Sequence, residues 1–172
     1  MKPILEFLLG SKNPKISNTD AFGDMLDLLE SNANNNEKRE YVACFKKWSK
    51  FYDKDFINAL CEKINEFVNT DTDIIIGYDQ VRARNEKTFL IMADPDSEFK
   101  MTTFGFYNHN TLEALKITIE PEETTAYFYH KDDFNEWQGW LKNEWWPKEI
   151  FINNGYHSES IDDFKKTLDK VK

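Results

Sequence analysis

The sequence predicts an α+β fold in which a roughly five-stranded, mostly antiparallel sheet is preceded by about three helices and followed by two. Helical periodicity dominates residues 1–69, strand-like runs fill residues 70–131, and helical periodicity returns over residues 132–172. Segregation of helices from strands along the chain is typical of the α+β class. The length of 172 residues fits one domain with a single core.

The helical part, residues 1–69, contains three amphipathic segments separated by loop signals. Thr19 and Asp20 can cap the first helix, and the asparagine-rich run 31–36 predicts the loop that follows it. Apolar residues recur at helical spacing in the later segments, which predicts one buried stripe per helix. In the third helix we expect Lys63 and Glu66 to face water. The stripes are Tyr41, Cys44, Phe45 and Trp48 in the second helix, and Phe56, Leu60, Ile64, Phe67 and Val68 in the third.

From residue 71 the apolar pattern becomes that of strands. Their connections are short, and a parallel pair needs a crossover of about a dozen residues, so we expect neighbouring strands to be antiparallel. A slip in the alternation at Thr102 and Thr103 predicts a bulge beside Gly105. The last strand, which carries Tyr127 and Tyr129, is expected at an edge of the sheet. The predicted strands cover residues 74–76, 88–93, 99–107, 115–119 and 124–130.

The C-terminal part is predicted to form two helices. Asp132 or Asp133 caps the first, which carries a tryptophan-rich stripe and ends or kinks at Pro147. The second covers residues 158–172, with acidic residues near its start and lysines near its end, as the helix dipole favours. Trp146 falls roughly opposite the stripe of the first helix. We therefore expect Trp146 to be exposed and available for an interface, where tryptophan is enriched.

Charge and cysteine usage restrict the class of partner and the compartment. The formal net charge is −9, with a net of −1 over residues 1–69 and −8 over residues 70–172. An acidic protein binds poorly to phosphate backbones and anionic lipid surfaces, so neither nucleic acid nor membrane is expected as a partner. A basic protein is favoured instead. Cys44 and Cys61 lie in helical patterns and are expected as buried free thiols, which indicates a reducing cytoplasm.

Aromatic and acidic side chains predict a surface for that basic partner. Tyr127 and Tyr129 alternate with smaller or apolar residues along their strand, and acidic residues precede and follow it. An aromatic centre with an acidic rim suits a basic protein. The open alternative is an edge strand that its charges keep soluble. The candidate partner-binding residues are Tyr127, Tyr129, Glu122, Glu123, Asp132, Asp133, Glu136 and Trp146.

Three further patterns in the sequence bear on catalysis or metal binding. Asp79, Glu98 and Lys100 have a loose nuclease spacing, but a whole predicted strand separates Asp79 from the other two. Residues 94–98 are oxygen-rich like a calcium loop, yet they lack its glycine and distant glutamate, and we expect a hairpin turn. The three histidines, His109, His130 and His157, are not spaced as a local metal pair and are expected at the surface or at caps. No catalytic residue, metal or cofactor is predicted.

Three functional hypotheses follow. The first is a non-catalytic, acidic, protein-binding module, most specifically an inhibitor or immunity protein that neutralises a basic protein such as a bacterial toxin. The second is a metal-dependent, nuclease-like hydrolase built on Asp79, Glu98 and Lys100. The third is a phage-type inhibitor of a defence system that mimics the charge of DNA, although 22 basic residues dilute the carboxylate rows that such mimicry needs.

Overall fold

The structure, a computed structural model, describes residues 21–77, 85–93, 95–111, 113–129, 155–157 and 160–172. The α+β class is confirmed, with a mostly antiparallel sheet, three helices before it and one described helix after it. The helices are α1 (residues 21–32), α2 (Asn36–Trp48), α3 (Lys54–Phe67) and α4 (Ile161–Leu168), with a 3₁₀ turn at Ser49–Phe51. The strands are β1 (Thr72–Ile76), β2 (Lys87–Met92), β3 (Thr102–Asn108), β4 (Glu113–Ile119), β5 (Thr124–Tyr129) and β6 (Gly155–His157). The other predicted C-terminal helix, with its tryptophan stripe, lies outside the described residues.

Side-chain caps determine where α2, α3 and α4 begin. The Asn35 side chain accepts a hydrogen bond from the Lys38 N–H at 2.8 Å, and the Asp53 carboxylate accepts from the first turn of α3. The Ser160 hydroxyl does the same for α4. Such caps satisfy backbone N–H groups that have no partner inside the helix. The loop predicted over residues 31–36 is therefore shorter than expected, because the helix before it continues to residue 32 and Asn35 already caps the next one.

The six strands lie in the order β1-β2-β3-β4-β5-β6, each beside its neighbour in sequence. The pairs from β2 to β5 are antiparallel, as predicted, and β6, which was not predicted, pairs antiparallel with β5, whereas β1 and β2 are parallel, with Ile74 opposite Phe89. The antiparallel prediction is wrong for this one pair. Ten residues, 77–86, connect the two strands, slightly fewer than the dozen assumed for a parallel crossover, so the length of this connection was a poor guide to the direction of the pair.

Strand β3 begins later than predicted and is regular. It pairs without interruption from Thr102 to Asn108 with β4, so the bulge expected beside Gly105 is not formed. Lys100 has a left-handed backbone, with φ of 50°, just before the strand. The slip in the sequence alternation therefore marks the start of β3. All seven residues of β3 are buried, as expected for a strand with neighbours on both sides.

The two faces of the sheet differ in character. The helices pack on one face, called the front face here, where Phe45 of α2 meets Phe104 edge-on at 5.6 Å and Phe67 of α3 meets Phe106 at 5.2 Å. Alternation along each strand directs the intervening side chains to the opposite back face. These include Leu90, Thr103, Tyr107, Lys116, Thr118, Thr125 and Tyr127, none of which belongs to the core formed with the helices. No described helix is long and apolar enough to cross a membrane.

Lys63 corrects one expectation about α3. Its side chain is buried, and its Nζ donates a hydrogen bond to the Val171 carbonyl, whereas Glu66 is exposed as predicted. Helix α4 packs against α3 through the ring contact of Phe56 with Phe164 at 5.0 Å, and the segment after α4 brings the Val171 carbonyl to Lys63. Helical periodicity places Lys63 outside the apolar stripe, but only the packing of a distant segment decides whether that side of the helix meets water.

Candidate functional site

The turn between β4 and β5 presents two of the predicted partner-binding residues. Glu122 and Glu123 are exposed, and the Glu120 N–H donates to the Glu123 carbonyl at 2.8 Å, which closes the tight connection expected from Pro121. Tyr127 lies four residues beyond Glu123, or about 13 Å along an extended strand. The structure therefore separates Tyr127 from the glutamates of the turn.

Tyr127 is half-buried on the back face, where its Cα is paired with that of Lys116 in β4. Tyr129 is paired with Ala114. Strand β5 is not an edge strand over Thr125–Tyr127, because β6 pairs with it there. The edge prediction is wrong, because the sequence pattern does not show that the later strand β6 pairs with β5. The remaining candidates, Asp132, Asp133, Glu136 and Trp146, lie outside the described residues.

The exposed aromatic side chains lie elsewhere, on the 3₁₀ turn after α2 and on the loop before β3. Phe51 is 54% exposed and Phe99 is 70% exposed, and they are the exposed large hydrophobic residues of the described chain. We call these two residues the aromatic patch. Isolated apolar residues on a surface are common, but these two phenylalanines lie on two segments that contact each other through Tyr52 and Lys100.

Tyr52 ties the two segments of the aromatic patch together. Its hydroxyl donates to the Lys100 carbonyl at 2.7 Å and lies 2.7 Å from Thr102 Oγ1. Lys100 Nζ lies 5.6 Å from the centre of the Phe51 ring, a cation–π contact between the two segments. The loop that carries Phe99 is therefore fixed to the turn after α2 both by a hydrogen bond to its backbone and by a contact of the Lys100 side chain.

Charged residues flank Phe51 and Phe99 in the sequence. Exposed carboxylates precede Phe99 at Asp96 and Glu98 and follow Phe51 at Asp53 and Asp55. The nearby basic residues are Lys50, Lys54 and Lys100. Sequence reasoning missed the patch because it placed Phe99 inside a strand. The available signal was the loss of alternation between Phe99 and Thr102.

The residues of the nuclease-like pattern do not form a site within the described chain. Glu98 and Lys100 are both exposed on the loop between β2 and β3, and Lys100 lies over Phe51. Asp79 lies outside the described residues. Among the described residues, no group of three or more histidine, cysteine, aspartate or glutamate side chains is arranged to hold a metal ion.

The side chains of His109, Cys44 and Cys61 are at least partly buried in the fold. His109 Nε2 lies 2.8 Å from the Thr88 hydroxyl, and burial lowers the pKa of His109. Cys44 and Cys61 are both free, and burial raises the pKa of Cys61 to about 12, which suppresses the reactive thiolate. His130 lies outside the described residues, and His157 is in β6 opposite Thr125.

A cavity of about 280 Å³ lies between α3, β2 and the segment after α4. Its floor is Phe67, whose ring has Lys87 Nζ at 4.9 Å and Lys63 Nζ at 5.8 Å from its centre. Burial lowers the pKa of Lys63, while Glu66 and Asp169 oppose that effect. The charges around the cavity nearly balance. The cavity therefore has the features of a structural ion network in which Lys63 anchors the C-terminal segment.

Lys116 is the most unusual ionisable residue of the sheet. It is half-buried near the middle of the back face, and desolvation lowers its pKa from an ordinary 10.5 to about 7. Its cross-strand neighbours are Gly105 on β3 and Tyr127 on β5.

Searches against protein-family models, curated proteins and solved structures found no match. Any function has to be inferred from the residues of this chain.

Proposed function

We propose that this chain is a non-catalytic, acidic, protein-binding module whose partner is a basic protein. Its most specific form is an inhibitor or immunity protein that neutralises a basic protein such as a bacterial toxin. The observation that supports this proposal is the aromatic patch, in which Phe51 and Phe99 are 54% and 70% exposed on two segments that Tyr52 holds together.

The aromatic patch has the physical properties of a binding centre. Aromatic rings bury a large area on contact and have few rotatable bonds, so they lose little side-chain entropy. The Tyr52 hydrogen bonds restrain the loop before a partner arrives. Binding energy is then not spent on ordering that loop. A rigid pair of exposed rings therefore favours slow dissociation of a partner.

The charge of the chain favours a basic partner. The formal net charge is −9, which is the basis for a basic partner, whereas next to the patch itself the exposed carboxylates of Asp53, Asp55, Asp96 and Glu98 alternate with Lys50, Lys54 and Lys100. Opposite charges raise the rate of encounter, and salt weakens this effect. The exposed phenylalanines thus lower the dissociation rate, and the negative charge raises the association rate.

An inhibitor requires no chemistry of its own. It needs only to occupy the functional surface of its target, which is usually basic when the target acts on nucleic acid. The exposed rings of the aromatic patch and the net negative charge of the chain support such a role. Tyr127, predicted as the aromatic centre, is half-buried, so we assign the centre to Phe51 and Phe99 instead.

A photo-crosslinking amino acid at position 99, introduced in the native cell, tests the proposal. The matched control carries the same amino acid at Glu30, an exposed position on α1. We expect position 99 to capture a protein with a basic isoelectric point, and position 30 to capture much less of it. The captured protein is then purified for binding measurements.

Binding of that purified protein to the Phe51→Ser, Phe99→Ser double variant should be at least about tenfold weaker, as for loss of hot-spot residues. The Asn58→Ser variant, at an exposed position of α3, should bind like the wild type. The association rate should fall as salt rises, and the activity of the partner should be blocked by the wild type and by Asn58→Ser at concentrations at which the double variant leaves it active. Equal affinity of the double variant, or an acidic partner, would contradict the proposal.

A further inference from the structure

The cavity between α3, β2 and the segment after α4 has an excess of positive charge. Its volume of about 280 Å³ is at the small end of the range for ligand pockets. Three lysines and two carboxylates line it, in a chain whose formal net charge is −9. All of the lining residues belong to the described part of the chain. They are Lys63, Glu66, Phe67, Lys87, Asp169 and Lys172.

The three amines lie at different depths of the cavity. Lys63 is 7% exposed, and its Nζ donates a hydrogen bond to the Val171 carbonyl. Lys87 is half-buried, and its Nζ lies 4.9 Å from the centre of the same Phe67 ring that Lys63 contacts. Lys172 is exposed. The cavity thus presents amines from the solvent inward.

Two of these amines have no counter-ion among the residues that the structure describes. Neither Lys87 nor Lys172 forms an ion pair or a side-chain hydrogen bond there, and the Phe67 ring is the contact of the Lys87 amine. A half-buried ammonium group has lost part of its hydration, and the face of an aromatic ring replaces only part of it. An anion beside Lys87 therefore gains a strong partner at a small further cost in desolvation.

The charges of the cavity also act on the buried amine. Burial lowers the pKa of Lys63, and Glu66 and Asp169 oppose this effect. The positive charges of Lys87 and Lys172 lower the same pKa, so the three amines repel one another. An anion among them relieves that repulsion. The two carboxylates at the same cavity repel an extended polyanion, so the arrangement favours a small anion.

We propose that this cavity binds a small oxyanion, a carboxylate or phosphate group, between the amines of Lys87 and Lys172, with the charge of Lys63 behind them. A lysine amine is a point charge that suits either group. The Phe67 ring closes the floor of the cavity, so the ligand has to be small. This role is additional to the contact by which Lys63 anchors the C-terminal segment, and it is independent of the aromatic patch and of any protein partner.

Calorimetric titration of the whole chain with inorganic phosphate and with succinate, each at constant ionic strength in chloride, tests the site. We expect at least one probe to bind the wild type with a dissociation constant of about 1 mM or tighter. Binding of phosphate alone identifies a phosphate ligand, and binding of succinate alone identifies a carboxylate ligand. The proposal is overturned if neither probe binds.

Lysine variants of equal net charge separate the cavity from the general surface. Lys87→Met should weaken binding at least about tenfold, because a contact to a charged group is lost. Lys47→Met, at an exposed position of α2 outside the cavity, should bind within about twofold of the wild type. Lys172→Met repeats the test at an exposed position, where folding is not affected, and should also weaken binding. If both lining variants bind as tightly as Lys47→Met, the site is not in this cavity.

A carboxylate variant should change the affinity in the opposite direction. Glu66→Gln removes a negative charge from the cavity and should bind the probe several-fold more tightly, because repulsion of the anion is lost. Glu30→Gln, at an exposed position of α1, makes the same change in net charge and should bind like the wild type. A variant that folds poorly does not gain affinity, so stronger binding by Glu66→Gln supports the site. Equal binding by the two variants counts against it.

Discussion

The Tyr52 hydroxyl donates a hydrogen bond to the carbonyl oxygen of Lys100 at 2.7 Å, which joins the turn after α2 to the loop before β3. Residues 48 positions apart in sequence are brought together by this contact. Lys100 itself has a left-handed backbone conformation that a non-glycine residue rarely adopts. The Tyr52 contact therefore helps to hold a backbone geometry that is locally unfavourable, and through it the position of Phe99.

Replacing Tyr52 by Phe should lower the free energy of unfolding by about 1–3 kcal/mol, because two oxygen atoms lose a buried partner. Urea denaturation measures this change. The matched control is Tyr41→Phe, since the Tyr41 hydroxyl contacts Glu37 at 3.3 Å on the exposed surface of α2. We expect a change below about 0.5 kcal/mol for the control. Equal effects in the two variants would show that the Tyr52 hydroxyl does not tie the loop.

Replacing Phe99 by Ser should leave the free energy of unfolding within about 0.5 kcal/mol of the wild type, because the ring is already 70% exposed. Phe104→Ala, five residues along the chain, should cost about 3–5 kcal/mol because the ring is fully buried against Phe45. Chemical denaturation compares the two. A large loss in Phe99→Ser would mean that the ring is a core residue and would remove it from the aromatic patch.

Gly105→Ala should destabilise the sheet, because the new methyl group would meet the Tyr107 ring at 2.8 Å. Removing the ring in Tyr107→Ala creates the space that the methyl group needs. The cost of Gly105→Ala should therefore be smaller in the Tyr107→Ala background than in the wild type. A double-mutant cycle by urea denaturation measures the coupling. Additive effects would indicate that the ring and the glycine are not in contact.

The stability of the chain should depend on pH through Lys116. Burial lowers the pKa of Lys116 from 10.5 to about 7, so between these values the unfolded chain holds a proton that the folded chain has released. The free energy of unfolding therefore rises with pH across this window, and the full cost of the buried charge is present below pH 7.

Lys116→Met removes this dependence. The variant should be more stable than the wild type at pH 6.5, and the difference should shrink as the pH approaches 10. Urea midpoints at several pH values measure it, with the exposed Lys165→Met as the control that shows no such trend. A constant difference between Lys116→Met and wild type across the window would mean that the lysine keeps its ordinary pKa.

The two thiols should differ in reactivity. Cys61 is fully buried and its pKa is raised to about 12, whereas Cys44 is half-buried. Because the thiolate is the reactive form, a thiol-specific reagent at pH 8 should modify Cys44 first and Cys61 only as fast as the chain unfolds. Mass spectrometry of the digested protein identifies the modified residue. Equal rates would indicate that α3 opens locally without global unfolding.

Local pattern was sufficient to predict most of the described elements of this fold, with β6 as the exception. The apolar spacing of α2 and α3, the alternation of β4 and the short turn at Pro121–Glu123 depend on neighbouring residues and are all present in the structure. The bounds were less well predicted. Strand β3 starts at Thr102 instead of 99 because Lys100 turns the backbone, and α4 covers eight residues within the predicted range 158–172.

The sequence by itself determined the helices, the succession of strands and the negative charge, because these depend on residues close together in the chain. Only the tertiary structure decided that β1 pairs in parallel with β2 and that β6 pairs with the outer side of β5. It also decided that Lys63 is buried and donates a hydrogen bond to the Val171 carbonyl. The tertiary structure further decided that Phe99 is exposed and that Lys116 is half-buried opposite Gly105. Burial and pairing depend on segments far away in sequence, and periodicity carries no information about which segment will cover a given face.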